Sequence, residues 1–380
     1  MLRGLNWGHR RATGPMNAVT RIAHDEMGIA LSWEQQTLAG FEHGLSATVA
    51  DAFDLVVFDH PHCGDIAREN LLLPLETELA GLSDRDFIGG SLDSYRYAGH
   101  LWGLPVDGAT QSALYRPDLM QGHPVPGDWA AVLKLGRALR RRRKWLGLPT
   151  LAPHGILALM ALCANLGHPL SHDPFATPFN PAALEQACAQ LMEAAALARP
   201  DGNTMNAVHM HDAMAAGDDI AYCPIVYAYL CYAEEGSGMP LRFAPFPGPE
   251  GTMRGSVLGG AGLGITRSCR DKAAAFRLLD RIATAQTQTQ LFMVNQGQPG
   301  RSEAWAGAVQ DQSFAGAHAG LQAAMNAAWV RPRFPRYLTW QSSAGRLVEQ
   351  VVAGTMSQRA LGAALDRLWR ECAPQWQLPS

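Results

Sequence analysis

The first sixty residues change hydrophobic period several times. Leu2 to Trp7 is a short apolar stretch, broken by the polar GHRRATGP. Pro15 suits a first helical position, and Val19, Ile22, Ala23 and Met27 then recur on one helical face until Gly28 stops it. IALSWE reads as a strand, the polar segment to Ala50 as helical, and FDLVVF as a strand buried on both faces. Strand and helix therefore alternate, which predicts a parallel sheet with helices packed on it.

The later pattern is less regular. LLLPLETEL is a loop-like apolar patch, and YAGHLWGLPVDGATQSALYRPDLM holds two strand-like pieces around a glycine turn at 107–108. Helices are predicted over 128–143, capped by Asp128, and over 181–199, capped by Asn180 with Pro181 as first helical residue. DDIAYCPIVYAYLCY is a strand running into aromatic residues, PFPGPEG at 245–251 a turn, and VLGGAGLGIT a strand. Residues 271–292, 342–353 and 357–371 read as helices.

Composition narrows the class. At 380 residues two domains are expected; 47% hydrophobic against 17% charged residues suits a globular core. A net charge of −3 gives no electrostatic reason to expect nucleic acid, and the one basic run, RALRRRRK, is short. No stretch of eighteen apolar residues occurs. Seven scattered cysteines do not form a disulfide framework and lean towards a reducing compartment. LRGLNW lacks an apolar export core, which implies a cytoplasmic chain if the sequence as written is complete. There is no G-x-x-x-x-G-K-[ST], G-x-S-x-G, H-E-x-x-H or paired C-x-x-C, and no cofactor is implied.

The order of segments resembles the extracellular solute-binding proteins of ABC importers, the sugar-binding cluster that includes maltose-binding protein. YRYAGHLWGLPVDGATQSALYRPDLM looks like that family's hairpin, first interdomain crossing and Tyr-x-x-Asp-Leu segment. VPGDWAAVLKLGRAL is similar to its Pro-x-x-Trp helix start, and AMAAGDDIAYCP to the segment ending in a pocket strand. GGAGLGIT with DKAAAFRLLDRIATAQTQTQLFMVNQGQPG resembles the return crossing and its helix; QVVAGTMSQRALGAALDRLWRE resembles the C-terminal helical pair. The resemblance implies an α/β, two-lobed periplasmic-binding-protein-like fold of type II, each lobe a mixed sheet flanked by helices. Lobe one would hold 1–108 plus 258–310, lobe two 109–257 plus 311–380, with Gly108, Gly259 and Gly260 in the hinge. It further implies a monomer that captures a small-molecule ligand by hinge closure for an ABC permease, and a periplasmic location if a leader has been removed.

On this architecture the carboxyl ends of lobe-one strands face the cleft. Trp7, His9, Arg10, Trp33, His60 and His62 become candidate ligand contacts. The resemblance adds His154 and Trp340 as ring contacts. Tyr222, Tyr227, Asp107, Thr110, Gln111, Asn295, Gln298, Arg301, Arg331 and Arg333 border strand ends or crossings. Rings suit the C–H faces of sugars, and polar groups suit their hydroxyls. Scarce acidic residues predict a neutral or anionic sugar-like ligand. Three readings of DHPHC stay open: a ligand-contacting loop, hydrogen-bonded structural histidines, or a metal site. Cys63 beside His62 also leaves open a cysteine-dependent transferase or hydrolase on the same scaffold, and a cytoplasmic chain would serve as a sensor or carrier.

Overall fold

The computed structural model describes residues 1–217, 219–233, 238–249, 256–309 and 315–375. The lobe boundary expected at 310–311 and the end of the 245–251 turn lie outside these residues.

The strands are β1 (Leu2–Trp7), β2 (Leu31–Gln36), β3 (Leu55–Phe58), β4 (Arg96–Tyr97), β5 (His100–Leu101), β6 (Leu104–Tyr115), β7 (Trp145–Leu146), β8 (Ile220–Tyr227), β9 (Arg242–Ala244) and β10 (Leu258–Ile265). The main sheet runs β2-β1-β3-β10-β6-β8-β7, with β9 also on β6. β1 is parallel to β2 and β3, as the alternation of the first sixty residues predicts. β10 returns antiparallel to β3 and β6.

β6 is the long strand in the middle of this order. Its first half, to Thr110, pairs with β10; from Gln111 it pairs with β8 and β9. Gly108 stands opposite Gly260 at this junction. Gly260 has φ +126, and a Cβ there would lie 2.3 Å from the carbonyl oxygen of Asp107, so only glycine fits without strain. One core lies around Leu55, Val56, Leu263 and Leu278; the other surrounds Leu159, Trp340, Leu365 and Trp369.

Helix starts follow the local chemistry. Asp128 accepts from the amide of Ala131, and Asn180 from that of Ala183 with Pro181 in the first turn. Several bounds differ from the sequence reading. The first helix is Arg10–Met27, with Pro15 inside it, because the His9 side chain accepts from Arg11 N and caps the helix earlier. The helix expected over 271–292 ends at Ala283. Thr284 turns extended (ψ 142), and its side chain starts a new turn by accepting from Thr287 N. The helix expected from 342 begins at Tyr337. Helix His154–Asn165 escaped the sequence reading because all twelve residues are buried, leaving no amphipathic period.

Candidate ligand site between the lobes

A cavity of about 70 Å³ lies where the ends of β1, β3 and β8, the middle of β6 and the start of β10 meet helix His154–Asn165 and residue 331. Its lining combines rings and aliphatic groups (Trp7, Phe41, Tyr229, Leu38, Leu157, Leu338) with Arg11, Glu42, Asp59, Asp107, His154, Tyr227, Arg331 and Gln341.

The full charges are paired with each other. Arg11 donates from Nε to Asp107 Oδ1 at 2.8 Å and from Nη2 to Asp107 Oδ2, a two-pronged contact that fixes both groups. Its remaining nitrogen reaches Ala228 O at 3.0 Å, and the guanidinium lies 4.5 Å over the Tyr229 ring. Arg331 donates to Asp59 Oδ2 at 2.5 Å, to Leu258 O at 3.2 Å and to Gln341 Oε1 at 3.4 Å. Burial opposes ionisation of Asp59, but Arg331 and His60 outweigh it and hold the carboxyl well below its usual range.

The uncharged polar groups are different. Trp7 Nε1 and Tyr227 Oη line the cavity without a hydrogen-bond partner, and so does His154 Nε2, whose neighbour Glu42 Oε1 lies at 3.6 Å. Trp7 and His154 are only 4% and 7% exposed. Burying such groups unsatisfied costs roughly 1–3 kcal/mol each; similar atoms also lie away from this cavity, at Asn6, His60 and Thr150. Burial holds His154 neutral, its pKa lowered to about 4 with help from His209 and Arg331. Burial, then the charge of Asp59, pushes Glu42 up to about 8.

Of the eighteen residues that the sequence offered as ligand contacts, Trp7, Asp107, His154, Tyr227 and Arg331 line this cavity. The others do not. His9 caps the first helix, stacks on Trp7 at 5.4 Å and lies 3.4 Å from Tyr232 Oη. Arg10 donates to Cys231 O at 3.2 Å and covers Tyr232; its neighbour Arg11 is the one turned inward. Trp33 packs over Gly4 on the edge strand β2. His60 and His62 are buried behind the cavity wall, His60 Nδ1 3.1 Å from Asp59 Oδ1, and burial lowers both to about 4. That placement takes both out of the cavity lining, but His60 Nδ1 and Nε2 and His62 Nε2 have no hydrogen-bond partner; among the described residues no cluster of three metal-ligating side chains forms.

Gln111 accepts from Val257 N at 3.4 Å, and Tyr222 is fully buried in the second core. Asn295 donates to Leu291 O at 2.7 Å; Arg301 pairs with Asp86 at 3.3 Å and covers Phe87. Trp340 packs edge-on to Trp369 at 5.0 Å in the core, because the helix Tyr337–Val352 turns Leu338 and Gln341 towards the cavity and Tyr337 and Trp340 away. Cys63 is buried against the carbonyls of Ser94 and Tyr95, and burial pushes its thiol far up; it is neither accessible nor a thiolate. The nucleophile reading therefore fails at Cys63.

Glu42, Phe41 and Leu38 were missed. They share one face of the helix Leu38–His43 at i, i+3 and i+4 spacing, capped by Thr37, and that spacing was the available signal.

No family model matches the chain, and no curated protein matches it in sequence. In structure it matches an ABC-transporter solute-binding protein of Thermotoga lettingae bound with α-D-tagatose, at TM-score 0.83 and 17% identity over 98% of this chain and 99% of the other. It matches the sugar-binding protein MalE of Xanthomonas citri at 0.78 and 19%, covering 98% and 97%. A solute-binding protein of Agrobacterium radiobacter in complex with ribitol matches at 0.80 and 17%, covering 97% and 98%. The chain thus has the two-lobed fold of ABC-transporter solute-binding proteins. Among the described residues no helix is long and apolar enough to cross a membrane.

Proposed function

We propose that this protein binds a neutral polyhydroxy molecule, a monosaccharide or sugar alcohol, between two hinged lobes and delivers it to an ABC permease. The observation that carries this reading is the contrast inside the cavity. Arg11 and Arg331 are neutralised by Asp107 and Asp59, whereas the Trp7 N–H, the Tyr227 O–H and the His154 nitrogen have no hydrogen-bond partner. Hydroxyl groups would satisfy those atoms, and Trp7, Phe41 and Tyr229 offer apolar faces for ring carbons. An anionic ligand would have no uncommitted cation to meet in this cavity. The tagatose and ribitol complexes of structurally similar proteins are consistent with this class.

Ligand sites usually span roughly 300–1,000 Å³. A space of about 70 Å³ must therefore open before a sugar enters. The lobes would be 1–108 with 258–310 and 109–257 with 311–380, turning about Gly108, Gly259 and Gly260. Capture is binding without bond-making, since the buried thiol of Cys63 offers no nucleophile.

The test is isothermal titration with D-tagatose, ribitol, other neutral monosaccharides, the matching sugar acids and an amino sugar. Binding confined to the neutral members supports the reading. Preference for an acid or an amine, or for none of the panel while an unrelated metabolite binds, overturns it.

A further inference from the structure

The basic run at 137–144 lines no part of the cavity. Helix Trp129–Arg140 delivers it: Asp128 caps the start, Val132, Leu133, Leu135 and Leu139 are buried, and Arg137 and Arg140 stand in the last turn. The chain then turns once, Arg142 N donating to Leu139 O at 2.9 Å and Arg143 N to Arg140 O at 3.1 Å, before Trp145 opens β7. From 129 to 172 the sequence has seven Lys or Arg and no Asp or Glu. Arg137, Arg140, Arg141 and Arg143 are exposed, and Arg142 is half-buried. Several arginines elsewhere are paired, as Arg3 is with Glu34, Arg68 with Asp65 and Arg281 with Glu26. Arg140 donates to Ala196 O at 3.1 Å and lies 4.3 Å over the Trp145 ring, but among the described residues none of the five is in an ion pair.

The place of the turn follows from strand pairing. β7 runs parallel to β8 with Trp145 opposite Ile220, whereas Tyr227 at the other end of β8 lines the cavity. Turn and cavity are therefore separated by roughly 23 Å along the strand. Beside the turn a groove of about 510 Å³ runs past Trp145 to Leu148, Met192 and Val352. The other cation on that groove, Arg199, is held by Asp201 and Asp219.

We propose that this arginine turn docks the protein on an anionic phospholipid surface, with head-group phosphates on the five arginines. Charge complementarity decides it. The whole chain carries −3, which would repel such a surface. At physiological salt, charges more than about 8 Å apart are largely screened, so the groups nearest the leaflet set the sign. Each arginine at the surface raises partitioning about fivefold, and the four exposed ones give a several-hundredfold preference for an anionic over a neutral leaflet. One turn presents its cations as a compact cluster that mobile head groups can surround. A nucleic acid strand needs cations along a groove and open rings for its bases, but Trp145 is covered by Arg140. The apolar groove beside the cations suits the carbon part of a lipid. Docking there leaves the cavity uncovered and does not depend on which solute the cavity takes.

The test is co-sedimentation with vesicles of phosphatidylcholine alone and with about 30% phosphatidylglycerol, in about 50 mM and about 500 mM NaCl. The parent should sediment with the phosphatidylglycerol vesicles at low salt, leave them at high salt, and stay in solution with phosphatidylcholine alone. Arg141→Gln with Arg143→Gln should lower partitioning about twenty-five-fold. Arg21→Gln with Arg277→Gln, an equal change of net charge at two exposed positions elsewhere, should leave it unchanged. Should the first double variant fold poorly, Arg141→Gln alone, with an expected loss of about fivefold, takes its place. Equal partitioning of parent and the turn variants, equal binding to both kinds of vesicle, or binding of heparin with none to either vesicle overturns the proposal.

Discussion

Arg331 donates to Asp59 at 2.5 Å across 272 positions of chain, with side chains only 4% and 13% exposed. The contact ties the segment after the helix Ala315–Asn326 to the end of β3. A charge pair this enclosed contributes little net stability while intact but leaves a stranded charge when half of it is removed. Arg331→Met is expected to cost about 3–5 kcal/mol in urea unfolding. The double variant Arg331→Met with Asp59→Asn should recover a large part of that loss. Equal stability of the two variants would show that the pair is not coupled.

Tyr227 presses its ring against Gly259 and points an unsatisfied hydroxyl at the cavity. Tyr227→Phe removes that hydroxyl and nothing else. Stability should hold or rise slightly, while affinity for whichever neutral sugar binds falls about tenfold, or ~1.4 kcal/mol. Unchanged affinity would take Tyr227 out of the site.

Burial lowers His60, His62 and His154 to about 4, against roughly 6.5 in an unfolded chain. The unfolded state therefore binds more protons between these values. Stability from these groups is complete above about pH 6.5 and is lost as pH falls towards 4. Glu42, raised to about 8, acts in the opposite sense and offsets one of the three. Urea midpoints at pH 7.5, 6.5, 5.5 and 4.5 should fall steadily below 6.5, with a shallower slope in His60→Gln. A flat profile would contradict the buried, neutral histidines.

The described cysteines are all free, and of the seven only Cys372 is partly exposed. Native protein should take up at most one equivalent of maleimide, at Cys372, and the rest only after denaturation. Cys63→Ala should leave sugar titrations unchanged. Rapid native labelling of Cys63 would reopen a chemical role for it.

Gly260→Ala places a Cβ 2.3 Å from Asp107 O at a φ of +126. The expected cost is about 1–3 kcal/mol. Gly81→Ala, with nothing within 4 Å and no positive φ, should stay within about 0.5 kcal/mol of the parent. Similar values for both would remove the steric argument at the lobe junction.

The element order was legible in the residues because periodicity, caps and glycine stops act over a few positions. Asp128, Asn180 and Gly28 each mark a helix end through bonds made with their own neighbours. The parallel β1, β2 and β3 followed from strand and helix alternation. The cavity was legible only in part. Trp7 and Tyr227 lie at strand ends, where the fold must open. Trp340 shows the limit: it lies one position from Gln341, yet the helical turn sends one ring into the core and the amide to the cavity.

The chain by itself determined the early strands and the amphipathic helices and that they would alternate into an α/β fold, because those choices depend on nearby residues; the fully buried helix His154–Asn165 did not show in it. Only the tertiary structure decided that Arg11 and not Arg10 faces inward, that Asp107 and Asp59 neutralise the cavity's two cations, and that Glu42 meets His154. Those relations join residues tens to hundreds of positions apart. Burial, which sets their charge, exists only once the lobes are packed.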